Sequence, residues 1–230
     1  MGNVVEPVHP SGGATMSCRG SSSSFTIAPK AKRHPAAITT GHILFVGLDG
    51  SGKTNLVQGL ANMCTPTTPI DKDQHVWATS NPLPSRFPVI KSVQLNRREV
   101  NLLAVPGSRD LRYLWYTSLT RDEISAICFC VDISDTIRFP LVALELQRLH
   151  EFQHSNNLAT SWLLFTKSDC IQVKKGTAVD TYERLKTICT QLKKEPCNWG
   201  FTVMPLVNSN LEGSLLDVKN WIQETLPPKP

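Results

Sequence analysis

Residues 47–54 read GLDGSGKT, and residues 42–48, which lead into them, read HILFVGL. The apolar run is typical of a strand that is buried on both faces. The residues after it fit the pattern G-x-x-x-x-G-K-[ST] at every fixed position, and apolar residues at helical spacing follow directly. This order predicts a phosphate-binding loop, because backbone N–H groups and the dipole of the following helix then converge on one anion.

Each part of this loop has an expected role in holding a nucleoside phosphate. Lys53 supplies a positive charge for the β- and γ-phosphates, and the Thr54 hydroxyl is placed to ligate Mg²⁺. Other residues of the loop are expected to contact the phosphates through their backbone, and these are Gly47, Asp49, Gly50, Ser51 and Gly52.

Strand-like and helix-like segments alternate through the rest of the chain. Strands are expected within 88–95, 98–105, 126–133, 161–169 and 201–207, and helices within 54–64, 139–154, 177–194 and 214–226. This alternation predicts an α/β fold in which a mostly parallel six-stranded sheet carries helices on both faces. The inward face of helix 139–154 is expected to contain Leu141, Leu144 or Glu145, Leu149 and Phe152.

Composition divides the 230 residues into a tail and one folded domain. Residues 1–40 are rich in Ser, Gly, Pro and Ala and have no structural period, so they are expected to be disordered. The folded domain is expected over 41–226, with a short tail at 227–230. The seven cysteines form no C-x-x-C pair, and no signal peptide or long apolar run is visible, so a reducing cytoplasmic compartment is expected. The net charge of +5 is spread along the chain, so no nucleic-acid partner is expected.

A second motif, TKSD at residues 166–169, predicts how the base is selected. The Asp169 carboxylate can accept hydrogen bonds from the ring N–H and the exocyclic amine of guanine. The aliphatic part of Lys167 can lie over the purine face, and Thr166 belongs to the same segment. The motif ends a buried strand two strand–helix units after the phosphate loop, which favours a base site over an ordinary polar loop.

These motifs together resemble the ADP-ribosylation-factor and Arf-like branch of the small GTPases. The loop GLDGSGKT is similar to that branch's G-L-D-x-x-G-K-T. Further similarity lies in VPGSRDLRYLWYTSL at 105–119, CVDISD at 130–135 and NSNLEGSLLDVKNWI at 208–222. The resemblance implies a P-loop NTPase G domain that binds GTP or GDP with Mg²⁺, with Ser209 and Asn210 near the guanine O6. It also implies protein effectors, an exchange factor and an activating protein as partners, and a role in membrane trafficking.

The segment after the third strand departs from that family at two positions. The family has D-x-x-G followed by Gln: the Asp holds Mg²⁺ through a water, the Gly meets the γ-phosphate and the Gln orients the attacking water. This chain reads AVPGS, so Ala104 and Ser108 replace the Asp and the Gln, and Gly107 is kept. An alanine cannot bind the metal through water and a serine is too short to orient the attacking one. No catalytic residue is therefore assigned, and slow or helper-dependent GTP hydrolysis is expected.

The first-switch threonine of the family has no clear counterpart. The stretch at 65–87, TPTTPIDKDQHVWATSNPLPSRF, is long and Pro-rich. Ser85 stands near the expected position, Thr79 and Thr68 are rivals, and none carries the flanking residues of the family.

Two other functions remain open. A pseudo-GTPase would hold nucleotide permanently or not at all and would act as an interaction scaffold; the β subunit of the signal-recognition-particle receptor is a related comparison, since it also has Pro-Gly at this place. The motif HEFQH fits H-E-x-x-H, in which His150 and His154 would bind Zn²⁺ and Glu151 would be the general base of a peptidase. No third zinc ligand is evident, which favours a solvated helix face.

The N-terminal sequence MGNVVE bears on membrane association. Gly2 and Asn3 suit N-myristoylation, but Glu6 stands where the acyltransferase favours Ser or Thr. One acyl chain would anchor the protein only weakly, and Cys18 could accept a second. The expected location is the cytoplasm, with peripheral membrane attachment if Gly2 is acylated.

Overall fold

The computed structural model describes residues 39–64, 86–95, 98–121, 124–156 and 160–226, which lie in one compact unit, Ala37–Pro230. The strands are β1 Thr39–Val46, β2 Val89–Leu95, β3 Arg98–Ala104, β4 Ile124–Asp132, β5 Thr160–Thr166 and β6 Thr202–Val203. The α-helices are α1 Lys53–Cys64, α2 Tyr113–Arg121, α3 Phe139–Asn156, α4 Thr177–Lys193 and α5 Glu212–Thr225.

The strands form a six-stranded sheet in the order β2-β3-β1-β4-β5-β6. All neighbouring strands pair in parallel except β2 and β3, which form an antiparallel pair. This confirms the predicted mostly parallel sheet. Because β1 lies between β3 and β4, the loop that leaves its carboxyl end is flanked by the ends of both neighbours, where ligands bind in open α/β sheets.

Alternate side chains of β1 enter two different layers of the core. Leu44 and Val46 pack in a cluster that includes residues of α2, α3 and α4. Ile43 and Phe45 face the opposite side, where residues of α1 and α5 pack. Helices therefore cover both faces of the sheet, as predicted, and the continuous apolar sequence of β1 is explained by burial on both sides.

Helix α2 is an α-helix of the described residues that the sequence did not predict. It has 9 residues, and its sequence YLWYTSLTR is rich in aromatic and β-branched side chains, which are weak helix formers. Tertiary packing compensates, since Trp115 and Leu119 are buried. The Trp115 indole Nε1 also donates a 2.7 Å hydrogen bond to the carbonyl oxygen of Pro106. The helix is thus stabilised by what it contacts more than by its own sequence.

Strand β6 is shorter than the expected 201–207. Its regular pairing covers Thr202–Val203, with a further isolated bridge at Val207. Pro205 lies between them and has no N–H to donate to the ladder. The Met204 and Val207 N–H groups still donate to β5 carbonyls at 2.9 and 3.0 Å, so this edge continues as irregular backbone.

The inward face of α3 differs in part from the prediction. Leu149 is buried as expected and Glu145 is buried too, whereas Leu141, Leu144 and Phe152 are only half-buried. The side chains that α3 packs against the sheet lie on a neighbouring row of the helix, and they include Phe139, Val142, Ala143 and Leu146. Among the described helices, none is long and apolar enough to cross a bilayer.

Candidate functional site

The loop predicted to bind phosphate joins β1 to α1 at the centre of the sheet, and Gly47 makes the turn out of the strand. Gly47 has φ +140°, a conformation that L side chains rarely adopt. A Cβ at this position would lie 2.2 Å from the carbonyl oxygen of Cys130 on β4. Glycine is therefore required where the loop crosses the neighbouring strand.

Lys53 is the first residue of α1, and its ammonium group points back into the loop. The side chain is nearly enclosed, with 7% of the residue exposed. Its Nζ donates to the carbonyl oxygens of Gly47 at 2.8 Å and Leu48 at 2.7 Å, and to Ser51 Oγ at 3.1 Å. The loop is thus folded around a buried cation, which is the counter-charge that a phosphate group needs.

Burial also governs the protonation of Lys53. It lowers the pKa of Lys53 from 10.5 to about 8, although Cys130 and the Asp49 carboxylate act in the opposite direction. The guanidinium groups of Arg138 and Arg112 lower this pKa further. A bound phosphate would add negative charge beside the ammonium and favour its protonated form, so phosphate binding and protonation are linked.

The predicted base-recognition segment lies directly beside the phosphate loop. Thr166, the last residue of β5, is fully buried. Its hydroxyl lies 3.0 Å from the carbonyl oxygen of Ser51 and 3.2 Å from that of Val131 on β4. The structure therefore brings together two motifs that are more than 100 residues apart in the chain.

Lys167 is held in place by a buried carboxylate that the sequence analysis did not single out. Its backbone is left-handed, with φ 58°, and its Nζ lies 2.6 Å from Asp132 Oδ2. The Ser134 N–H and hydroxyl donate to Asp132 Oδ1 at 3.0 and 2.6 Å. Burial alone would raise the pKa of Asp132, but the hydrogen bonds from Lys167 and Ser134 outweigh it and lower that pKa. Asp169 follows in an exposed turn.

The loop before α5 is shaped by Asn208, a second residue that the sequence analysis did not assign. Its N–H donates to Ser214 Oγ, and its side-chain oxygen accepts from the Asn210 N–H, both at 2.9 Å. The Ser168 N–H in the base segment donates to the Val207 carbonyl oxygen at 3.3 Å. Residues 208–210 therefore lie beside the base segment. The sequence signal that could have found Asn208 is the tendency of an Asn side chain to accept a hydrogen bond from the backbone N–H two residues later.

Gly107 packs directly on the phosphate loop. A Cβ at Gly107 would lie 2.2 Å from the Gly47 carbonyl oxygen and 2.4 Å from the Asp49 amide nitrogen. Arg112 Nε donates to the Gly107 carbonyl oxygen at 3.0 Å, and Arg112 is paired at 3.0 Å with Glu145 on α3. The segment after β3 is therefore fixed both to the phosphate loop and to α3.

The two positions at which the sequence departs from the family pattern lie on this segment. Ala104 ends β3 and is buried with apolar neighbours, so it offers no side-chain oxygen to a metal or a water. Ser108 is half-buried two residues after Pro106.

The residues present fit Mg²⁺ only in part. Thr54 is the second residue of α1 and supplies one hydroxyl oxygen, and Mg²⁺ is commonly held by one or two protein ligands together with substrate phosphates. Within the described part of the chain, no group of three or more His, Cys, Asp or Glu side chains could hold a metal. The first-switch candidates Ser85, Thr79 and Thr68 lie outside the described residues.

The HEFQH motif does not form a metal centre in the described structure. His150 and His154 lie one turn apart on α3, with ring centroids 6.3 Å apart. Glu151 is engaged elsewhere, since it accepts from Gln147 Nε2 at 2.9 Å and pairs with Lys193 Nζ at 3.3 Å. Since the described ranges supply no third ligand, the zinc peptidase is not favoured.

A phosphate loop, a base segment and a C-terminal loop that meet at the carboxyl ends of parallel strands define a G domain of the small GTPase class. The chain matches the model of the ADP-ribosylation factor family over residues 32–199, which is more than half of its length. The protein therefore belongs to the ADP-ribosylation factor family of small GTPases, and the predicted fold class and family resemblance are confirmed.

Individual relatives agree with this assignment. The mouse protein ADP-ribosylation factor-like protein 10 is 32% identical over 109 residues, which are 46% of this chain and 38% of the mouse protein. The chain thus matches well under half the length of that relative.

Solved structures show the same fold. The Arl6 BBS3 small GTPase of Trypanosoma brucei, with the bound nucleotide analogue GppNp, has a TM-score of 0.57 and 25% identity, covering 82% of this chain and 98% of that one. The signal recognition particle receptor SRb-GTP/SRX complex of Chaetomium thermophilum has a TM-score of 0.61 at 19% identity, covering 81% and 98%. The second likeness concerns the fold alone.

Proposed function

We propose that this protein is an Arf-like G protein that holds GTP or GDP with Mg²⁺ and hydrolyses GTP slowly or only with a helper protein. The observation that carries the proposal is the contrast between two positions. Lys53 is buried inside a complete phosphate loop, whereas Ala104 stands at the end of β3 where the family has a carboxylate. The buried Lys53 supports nucleotide binding, and Ala104 supports slow GTP turnover.

The choice of guanine follows from the segment beside the loop. Lys167 is held by its 2.6 Å ion pair with Asp132, and its alkyl chain is proposed to lie against the purine face. Asp169 is exposed two residues later and can accept from the guanine ring N–H and exocyclic amine. Ser209 and Asn210 lie in the adjoining loop and are proposed to approach the guanine O6. Together these groups favour guanine over adenine, because adenine lacks both donors in that arrangement.

Slow hydrolysis follows from what the segment after β3 cannot supply. The family's Asp and Gln act on the metal and on the attacking water. The Ala104 side chain has no polar atom, and the Ser108 side chain is too short to orient a water in line with the γ-phosphate. Gly107 is kept and packs against the loop, and its N–H is proposed to contact a phosphate as in the family.

A nucleotide-holding protein of this family would act by changing its affinity for partners. We propose protein effectors, an exchange factor and an activating protein as partners, and a role in membrane trafficking. The proposed location is cytoplasmic, with peripheral attachment if Gly2 is acylated; Gly2 and Cys18 lie outside the described residues. A non-cycling scaffold is the rival function that the experiments below distinguish from a nucleotide-holding switch.

The first experiment identifies the nucleotide that the full-length protein carries. The protein is purified from its native source under mild conditions with Mg²⁺, denatured, and the released nucleotide is separated by ion-exchange chromatography. We expect the native protein to release about one GDP or GTP per chain. As a control, Lys53→Ala and the wild type are expressed and purified in the same way, and the variant is expected to carry much less nucleotide. An empty wild-type site would support the scaffold instead.

The second experiment measures turnover. Protein loaded with GTP is mixed with Mg²⁺, and phosphate release is followed over a single turnover without helper proteins. We expect release over hours, as for a G protein that lacks its water-orienting residue. A rate equal to that of an Arf-family protein with the Asp and the Gln, measured side by side, would contradict slow hydrolysis while leaving nucleotide binding intact.

A further inference from the structure

Asp49 places a carboxylate within the loop that is proposed to bind phosphate. This is an unfavourable location, because a negative side chain repels a nucleotide that carries several negative charges. The charge acts inside the site, since the Asp49 carboxylate raises the pKa of Lys53. The loop therefore requires a means of offsetting this charge if it is to retain a nucleotide.

Arg138 supplies a matching positive charge from the neighbouring segment between β4 and α3. Its Nη1 lies 3.2 Å from Asp49 Oδ1, and its Nη2 donates to the Asp49 carbonyl oxygen at 3.1 Å. One guanidinium group thus contacts both the carboxylate and the backbone of the same loop residue. Its influence also reaches the centre of the site, because it lowers the pKa of Lys53.

The arginine is itself fixed. Asp135 accepts from Arg138 Nε through one carboxylate oxygen, and its other oxygen accepts from the Arg138 N–H at 3.3 Å. The next residue, Phe139, is buried in the core at the start of α3. The guanidinium is therefore held on both sides, between Asp135 on its own turn and Asp49 on the phosphate loop.

We propose that Arg138 is a positioning residue for nucleotide retention: it neutralises Asp49 and holds the loop backbone through the Asp49 carbonyl. The inference rests on the proposed guanine-nucleotide function. The turn before α3 would then hold the outer side of the phosphate loop, so that the nucleotide off-rate depends on a residue that does not touch the nucleotide.

An ordinary surface ion pair is the alternative, because the two side chains are 33% and 39% exposed. Such pairs contribute little to folding stability. The two ideas differ in what they predict for a second substitution. If the role of Arg138 is to offset Asp49, removing the carboxylate removes most of the need for the arginine.

The test measures the release of a fluorescent GDP analogue from the full-length protein with Mg²⁺, by displacement with excess GDP. The variants are Arg138→Ala, Arg138→Lys, Asp49→Asn and the double variant Arg138→Ala with Asp49→Asn. Arg148→Ala is the matched control, since Arg148 lies on α3 and forms an ion pair with Glu145 at 3.0 Å, whereas the Arg138 pair is with the phosphate loop. Melting of each nucleotide-free variant reports on the fold.

We expect Arg138→Ala to release the analogue about 10-fold faster, which corresponds to one factor of ten in the equilibrium constant if association is unchanged. Arg138→Lys should lie between it and the wild type, because lysine keeps the charge but not the two-pronged contact. The double variant should return to within about 3-fold of Asp49→Asn, since the repulsion is gone. Arg148→Ala should match the wild type.

Three results separate the possible failures. If the wild type binds the analogue and Arg138→Ala releases it at the wild-type rate, the role of Arg138 is overturned and the proposed function stands. If the double variant releases it as fast as Arg138→Ala, neutralisation of Asp49 is overturned. If the wild type binds no guanine nucleotide, the proposed function fails, and the role of Arg138 fails with it. Should Arg138→Ala not fold, Arg138→Lys against the wild type decides the outcome.

Discussion

The hydroxyl of Thr166 on β5 lies 3.0 Å from the carbonyl oxygen of Ser51 in the phosphate loop. It also lies 3.2 Å from the Val131 carbonyl oxygen, and Thr166 is fully buried. One hydroxyl thus lies between the phosphate loop and the ends of β4 and β5, and it links the segment proposed to hold phosphate to the segment proposed to select the base.

Thr166→Val keeps the shape of this side chain and removes its hydroxyl. We expect a loss of about 1–3 kcal/mol in the free energy of unfolding, because buried carbonyl oxygens lose a partner. We also expect faster nucleotide release, because the loop and the base segment become uncoupled. Urea unfolding and displacement of a fluorescent GDP analogue measure the two effects. Thr166→Ser is the control: it keeps the hydroxyl, and an equal loss of affinity in this variant would point to packing as the cause.

Asp132→Asn removes the charge that orients Lys167. In the wild type the Asp132 carboxylate accepts a hydrogen bond from the Lys167 ammonium group. The amide introduced by the substitution would instead turn N–H groups toward this ammonium group, so the Lys167 side chain should move away. We expect guanine nucleotide affinity to fall about 10-fold, with a smaller preference for GDP over ADP. Competition of GDP and ADP against a fluorescent analogue measures both.

Glu183→Gln makes the same charge change at an exposed ion pair on α4. This control should leave the affinity and the base preference unchanged. A preference for GDP that survives in Asp132→Asn would show that Lys167 does not depend on Asp132 for its orientation.

The double substitution Ala104→Asp with Ser108→Gln restores the two groups that the family uses for hydrolysis. We expect single-turnover GTP hydrolysis to rise about 10-fold or more in the presence of Mg²⁺. We expect the Asp to destabilise the nucleotide-free protein, because Ala104 is buried among apolar side chains. Phosphate release and thermal melting check the two effects. No increase in rate, in a double variant that still binds GTP, would show that other parts of the site limit turnover.

The pH dependence of nucleotide binding should follow Lys53, whose pKa is lowered by burial to about 8. Below about pH 8 the free protein already carries the charge that phosphate requires, so affinity is full there. Above it the ammonium group must take up a proton on binding, and the affinity should fall as the pH rises. Titration of GDP affinity between pH 7 and about 9.5 measures this.

The stability of the nucleotide-free protein should change in the opposite direction over the same window. The unfolded chain keeps the Lys53 proton up to its ordinary pKa of 10.5, whereas the folded protein loses it near 8. The unfolded state therefore binds more protons between these values, and Lys53 makes folding more favourable as the pH rises. Lys53→Arg stays charged throughout and should remove both dependences. A GDP affinity that is flat up to pH 9.5 in the wild type would contradict the lowered pKa.

The sequence by itself determined the α/β fold, the phosphate loop and the base segment. Each depends on local chemistry: an apolar run long enough for a buried strand, glycines where a Cβ cannot fit, and a lysine beside a helix N-terminus. The same local information predicts that Ala104 and Ser108 do not take the roles of the Asp and the Gln, because the loss of a functional group can be read from a single residue.

Only the tertiary structure decided which distant groups support the site. Helix α2 exists because Trp115 is buried, and its own sequence favours it weakly. Asp132, Asn208 and Arg138 gained their roles from contacts with residues elsewhere in the chain; Arg138 and Asp49, for example, are 89 positions apart. A charged residue on a strand end or turn has the same local pattern whether it faces solvent or a partner. The physical reason is that its energy depends on the charge opposite it, which the fold alone brings into place.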